Sequence, residues 1–91
     1  MSNSETRVKV NVYLCKYHKT VNPVSRHIIS SYSTCSFVST IELEELVSIL
    51  GEEAVAILRR NFEIDISDNE IVSKIINRSI SENEYLKLSL D

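Results

Sequence analysis

A strict alternation of apolar and polar residues near the N-terminus constrains this 91-residue chain more than any other feature. The apolar positions are Val8, Val10, Val12 and Leu14, and the polar positions between them are Lys9, Asn11, Tyr13 and Cys15. A period of two residues indicates a strand with one face on a hydrophobic core. The sequence therefore predicts a sheet that begins at Arg7, preceded by a polar segment, residues 1–6, that frays.

The segment that follows predicts a hairpin. Asn22-Pro23 places a loop over His18–Ser25, because proline fixes its own φ and moves the preceding residue out of the helical region. Residues 27–38 are rich in β-branched, aromatic and hydroxyl side chains, which favours a second strand paired with the first.

The middle of the chain predicts one long helix over residues 41–60. Ser39 or Thr40, just before it, is the residue that starts the helix as its N-terminal cap. Plotted at 100° per residue, its apolar side chains fall within about 120°, the width of a stripe that packs on a core. These side chains are Leu43, Leu46, Val47, Leu50, Ala54, Ile57 and Leu58. Gly51 costs about 1 kcal/mol relative to alanine in such a helix, or marks a break in it.

The C-terminal third predicts a strand, a helix and a final strand. Residues 62–66 alternate in polarity, and a capping box from Ser67 to Glu70, with Ser67 as the cap, opens a helix over residues 68–78. Residues 86–90 again alternate between apolar and polar side chains, which predicts the final strand. Ser81 to Glu84 is a second capping-box pattern, so a helix in place of this strand is the alternative.

The order β-β-α-β-α-β predicts an α+β fold with two layers. One mainly antiparallel sheet, made of the N-terminal hairpin and two further strands, carries two helices on one face. We expect residues 7–91 to form a single domain, since a chain of this length leaves no room for two cores.

Composition excludes several classes of function. A single glycine, Gly51, excludes the glycine-rich loops that cradle phosphates, and we expect no cofactor. No apolar run reaches the roughly 18 to 20 residues of a membrane helix, and because residues 1–6 lack a basic segment followed by an apolar one, we expect no signal peptide. We therefore expect a soluble, cytoplasmic protein without a membrane partner, in which Cys15 and Cys35 persist as thiols or metal ligands.

The cysteines and histidines form a candidate zinc site in the sequence. Their order is Cys15, His18, His27 and Cys35, a complete set of tetrahedral zinc ligands. Cys15 and His18, three residues apart, lie on opposite faces of an extended strand, and His27 and Cys35 are about 26 Å apart along a straight one. The four would meet only if the strands bend, so we favour two thiols and two surface imidazoles without a metal.

The sequence predicts no catalytic site. A Cys–His nucleophilic pair would need a third orienting group and donors for an oxyanion, and the sequence supplies no oxyanion donors. Glu44-Glu45 and Glu52-Glu53 lie on the polar flank of the predicted helix, where solvated charge is the usual explanation. Glu63 and Asp65 share one face of a strand and could hold Mg²⁺, but we favour the solvent-facing side of that strand.

Charge is divided unevenly along the chain, although the net charge is −3. Residues 1–38 hold five basic residues and one acidic residue, whereas residues 39–91 hold five basic and twelve acidic residues. On the outward face of the first strand Lys9, Tyr13 and Tyr17 project together, with further cations nearby. The candidate binding residues are Lys9, Tyr13, Lys16, Tyr17, Lys19 and Arg26.

Tyrosines and cations on a sheet suit two kinds of partner. Tyr and Arg are enriched at protein interfaces, so the first hypothesis is a small non-catalytic module that occupies a partner protein as an inhibitor or adaptor, a type common in phages and mobile elements. The alternative is a nucleic-acid-binding domain that uses the basic hairpin, although a pI near 5.3 is low for that class. A zinc-stabilised domain and a homodimer complete the hypotheses.

Overall fold

The computed structural model describes residues 8–91, so the predicted frayed segment 1–6 and the predicted strand start at Arg7 lie outside the described residues. Four strands and three helices follow in the chain. They are β1 (Lys9–Val21), β2 (Ile28–Glu42), α1 (Leu43–Leu50), α2 (Glu52–Asn61), β3 (Glu63–Ile66), α3 (Asn69–Ile76) and β4 (Glu84–Leu90).

The strands form one antiparallel sheet in the order β2-β1-β4-β3. The last strand inserts beside β1 because Leu86, Leu88 and Leu90 pair in register with Leu14, Val12 and Val10, which extends one apolar face across both strands. The predicted two-layer α+β fold is confirmed.

The hydrophobic core lies between one sheet face and the helices. From the sheet Val10, Val12, Ile66, Leu86 and Leu88 are buried. From the helices and the loop before β4 the buried side chains are Leu43, Leu46, Val55, Leu58, Val72 and Ile80. The opposite sheet face carries no helix among the described residues.

The predicted single helix over 41–60 is wrong, because Gly51 divides it into α1 and α2. Gly51 has φ 92° and ψ 162°, a conformation that side chains rarely adopt, and its N–H donates to the Val47 carbonyl as the end of α1. The predicted apolar stripe holds only in part: Leu43, Leu46 and Leu58 are buried, whereas Val47 and Ile57 are exposed. In α2 the buried side chain beside Leu58 is Val55, which lies outside the predicted stripe, so the buried face shifts at the break. α1 also begins at Leu43, later than predicted, because β2 continues through Glu42.

The cap of α3 is Asp68 and not Ser67. The Asp68 carboxylate accepts from the backbone N–H of Glu70 at 2.9 Å and of Ile71 at 3.2 Å. The next residue, Asn69, fixes the segment that follows α3, since its side chain donates to the Ile80 carbonyl at 3.0 Å and accepts from the Ile80 N–H at 2.9 Å.

The second capping-box pattern closes a turn and does not open a helix. The Glu84 carboxylate accepts from the Ser81 N–H at 2.9 Å and from the Ser81 hydroxyl at 2.8 Å. Backbone pairing with β1 then carries residues 84–90 as a strand, so the helical alternative is wrong. In the described part of the chain, no helix is long and apolar enough to cross a membrane.

Candidate functional site

The two N-terminal strands reach far beyond the rest of the sheet. β4 pairs with β1 only over Val10–Lys16, so β2 is the only strand beside β1 from Tyr17 onward among the described residues. We call residues 17–33 the projecting hairpin. It gives the described chain principal extents of 64 × 23 × 22 Å and a radius of gyration of 15.8 Å, against about 12 Å for a compact chain of this length.

The loop before β4 holds the projecting hairpin at its base. The Tyr17 N–H donates to the Asn83 carbonyl at 2.7 Å, and the Asn83 side chain donates to the Tyr17 carbonyl at 3.5 Å. A cleft of about 450 Å³ lies at this joint, lined by Tyr17, His18, Lys19, Glu82 and Asn83. Asn83, the residue before β4, therefore extends the pairing with β1 by one residue beyond the Lys16–Glu84 pair.

A disulfide between Cys15 and Cys35 joins β1 and β2 two residues before the base of the projecting hairpin. The expectation of free thiols is wrong, because the two cysteines are direct cross-strand partners in the register of β1 and β2. Cys15 is fully buried, whereas Cys35 lies on the exposed strand. The signal was present in the sequence: a hairpin centred on residue 25, next to Pro23, places positions 15 and 35 opposite each other.

Asn22 organises the turn at the tip. Its side-chain oxygen accepts from the Val24 N–H at 2.8 Å and the Ser25 N–H at 3.0 Å, while its own N–H donates to the His27 carbonyl at 2.9 Å. Arg26 adopts φ 67° at the end of the turn. The loop spans only residues 22–27, shorter than the predicted His18–Ser25 at its N-terminal side, because Thr20 and Val21 still pair with β2.

The two histidines do not join the cysteines. His18 stacks on Tyr32 with ring centroids 4.7 Å apart, and a 3.1 Å hydrogen bond joins its Nε2 to the Thr34 hydroxyl. His27 lies in the exposed turn. With both sulfur atoms bonded to each other, the zinc set Cys15, His18, His27 and Cys35 is not assembled, and residues 8–91 hold no group of three or more His, Cys, Asp or Glu that could bind a metal.

The surface of the projecting hairpin is apolar and basic. Its exposed apolar side chains are Tyr17, Val21, Val24, Ile28, Ile29 and Tyr32. The cations Lys19 and Arg26 lie on it and Lys16 lies at its base, all exposed, and the sequence holds no acidic residue between Glu5 and Glu42. This surface differs from the helices α1 to α3, which we call the acidic helical layer because their glutamates outnumber their cations. The glutamates are Glu44, Glu45, Glu52, Glu53 and Glu70, and the cations are Arg59, Arg60 and Lys74.

The remaining predicted binding residues lie closer to the body. Lys9, Tyr13 and Tyr17 share the sheet face away from the helices, as predicted. Lys16 alternates with them along β1 and therefore lies on the other face of the strand. Tyr13 is half-buried and meets exposed Phe37 edge to face, with ring centroids 5.8 Å apart. Phe37 is not among the residues that the sequence predicts for this face. The signal for it was its position in the second strand of the predicted hairpin, which pairs with the strand that holds Tyr13.

Several acidic side chains in the described chain lie beside hydrogen-bond donors or cations. Backbone and side-chain hydrogen bonds from Ser81, with the nearby charges of Arg78 and Lys16, lower the pKa of Glu84 below its ordinary value of 4.5. Glu63 pairs with Lys87 at 3.9 Å, and Asp65 is the cross-strand partner of the same lysine. Lys87 thus lies beside both Glu63 and Asp65, which favours a role for these carboxylates in surface charge pairing.

A groove of about 360 Å³ separates α2, the start of α3 and β3. Apolar side chains line most of it, among them Leu50, Ile57, Ile64 and Ile71, with Asp65 and Asp68 at its edge.

Comparison of the chain with protein-family models, curated proteins and solved structures gives no match.

Proposed function

We propose that this chain is a small non-catalytic module that binds a partner protein through its projecting hairpin, as an inhibitor or adaptor. The observation that carries this proposal is the exposure of six apolar side chains on a hairpin that extends away from the core. An exposed apolar surface of this kind is unusual on a protein without a partner. Tyr17 and Tyr32 supply the aromatic side chains that dominate many interfaces.

The chemistry of the hairpin specifies the partner's surface. Ile28, Ile29 and Val24 suit an apolar cleft, and Lys19 with Arg26 suits an acidic rim around it. The acidic helical layer would repel such a rim, so the partner would contact the hairpin and not the helices.

Matched isoleucine variants test this proposal. Ile29 is 63% exposed on the hairpin, and Ile57 is 42% exposed on α2. The tagged protein would capture its partner from lysate of the source cells, and the purified complex would be titrated by calorimetry. We expect Ile29→Ser to weaken binding at least tenfold and Ile57→Ser to leave it unchanged. Equal affinity of Ile29→Ser and the parent, or loss of binding with Ile57→Ser alone, would contradict the proposal.

Nucleic acid is the second candidate partner, supported by the basic hairpin. The DNA major groove, about 12 Å wide, admits a two-stranded ribbon. Lys16, Lys19 and Arg26 would contact phosphates, with Tyr17 available for stacking. Three cations are few for such an interface, and the exposed isoleucines are better matched by a protein cleft, so this candidate ranks second.

The cytoplasmic location predicted from the sequence stays a prediction. A Cys15–Cys35 disulfide persists in an oxidising compartment, and in a reducing compartment it would form only under oxidising conditions. The phage or mobile-element origin rests on composition alone.

A further inference from the structure

The outer edge of β2, the side that faces away from β1, is the longest edge of the described sheet without a neighbouring strand. β2 is terminal in the strand order, and no other strand among residues 8–91 pairs with that edge. It is 15 residues long, and four of its side chains are exposed large apolar residues or aromatics in its first ten positions: Ile28, Ile29, Tyr32 and Phe37. Such an edge presents free N–H and C=O groups to any second strand.

The sequence of this edge lacks the features that prevent pairing. Natural edge strands carry lysine, other inward charges or proline, which oppose a second strand. Residues 28–41 contain no charged residue and no proline. Two irregularities in the pairing with β1 bound a regular stretch over residues 30–37, so the middle of the edge is uninterrupted.

We propose that the outer edge of β2 pairs antiparallel with β2 of a second copy of this chain, forming one continuous eight-stranded sheet. Antiparallel pairing of identical strands has twofold symmetry, so it closes as a dimer and leaves β3 at both ends. The pairing goes beyond the proposed partner-binding function and does not depend on it.

Charge complementarity favours the second copy as the occupant. Lys19 and Arg26 lie at the tip end of β2, whereas exposed Glu44 and Glu45 lie in the first turn of α1, which directly follows the other end. Antiparallel pairing brings each basic tip toward the acidic end of the other copy. Parallel pairing would bring like charges together.

The area of the edge sets the expected strength. Fifteen residues at about 3.4 Å each span about 50 Å, and a strip about 10 Å deep gives about 500 Å² per copy. A total of about 1,000 Å² belongs to weak, reversible interfaces. We therefore expect a dimer that dissociates on dilution through the micromolar range.

Sedimentation equilibrium of the full chain tests the pairing. We expect the mass to rise with concentration from 10.4 kDa toward twice that value. Ser33→Lys, in the regular stretch of β2, gives each copy an edge lysine, the feature by which natural edge strands oppose pairing, and should weaken association at least tenfold. Ser79→Lys, the same change at an exposed position after α3, should leave association unchanged.

A second variant keeps the test independent of the folding of Ser33→Lys. Arg26→Glu should weaken the dimer at low salt and lose most of this effect at high salt, because screening removes the attraction between tip and acidic end. A parent chain that stays monomeric throughout, a dimer that Ser33→Lys leaves intact while folded, or an Arg26→Glu dimer as tight as the parent would overturn the proposal. Partner capture by monomeric Ser33→Lys would leave the proposed function standing on its own.

Discussion

Cys15 and Cys35 lie directly opposite each other one residue pair before β1 loses β4 as a neighbour at Lys16. The disulfide between them therefore crosses the sheet where it narrows to two strands. A two-stranded hairpin is at best marginally stable in water without further support. The cross-link, the Asn83 contacts at Tyr17 and the His18–Tyr32 stack are the support that the structure provides.

We predict that removal of the disulfide loosens the projecting hairpin first. The cysteines are 20 residues apart, and the loop-entropy relation for that length gives a loss of about 3 kcal/mol in unfolding free energy for the double Cys→Ser variant. Hydrogen exchange should accelerate at amides of residues 17–33 more than at β4.

Reduction of the parent protein provides the control for that substitution. It should reproduce the exchange pattern of the double variant, and the oxidised protein should be lighter by two hydrogens in intact mass measurement. Uniform acceleration across hairpin and body would show that the cross-link supports the whole fold and not the hairpin.

Leu46 should be essential for folding, whereas Leu50 should matter less. Leu46 is fully buried in the core, and truncation of such a leucine costs about 2 to 5 kcal/mol of unfolding free energy. Leu50 is half-buried beside the apolar groove, so Leu50→Ala should cost less. Chemical denaturation measures both, with Val47→Ala, at an exposed position of the same helix, as the reference. Equal losses for the two leucines would contradict the packing described.

Glu84 should make stability depend on pH below its ordinary pKa. Because hydrogen bonds from Ser81 lower the folded-state pKa below 4.5, the ionised group stabilises the fold above 4.5, and this contribution is lost as pH falls through the lowered value. The difference in unfolding free energy between parent and Glu84→Gln should therefore shrink on acidification. Glu82→Gln, in the same loop, controls for the loss of one charge; a gap that stays constant down to pH 2 would contradict the assignment.

Nucleic-acid binding should be weak or absent near physiological salt. Each phosphate contact through the hairpin cations would contribute a slope of about −0.7 to −0.9 in a plot of log K against log salt. Fluorescence titration with single-stranded and duplex DNA and RNA measures this. A tight, salt-sensitive isotherm that Lys9→Glu combined with Lys16→Glu abolishes would make nucleic acid the first candidate partner.

The sequence predicts the elements whose periodicity is local. The alternation at Val8–Leu14 and at Leu86–Leu90 defines strands because each apolar side chain on one face finds the core. The sequence leaves a break at Gly51 only as an alternative, because the apolar periodicity of the sequence continues through this position. Periodicity alone cannot distinguish two consecutive helices from one helix.

The candidate site was harder to predict because it depends on register. Lys9, Tyr13 and Tyr17 could be placed on one face from alternation alone. The Cys15–Cys35 bond required the position of the turn, which was predicted from Pro23 alone, while the Asn22 side chain fixes it. The Asn83 contacts join residues 66 apart in sequence, and no local pattern indicates them.

The 64 Å length of the molecule changes the meaning of its net charge. At physiological ionic strength the electrostatic field of a charge decays over about 8 Å, far less than the reach of the projecting hairpin. A molecule that approaches Arg26 at the tip therefore experiences a local cation, almost independent of the acidic helices. The basic projecting hairpin and the acidic helices therefore act on an approaching molecule as two separate charged regions. The isoelectric point of the whole chain describes neither region.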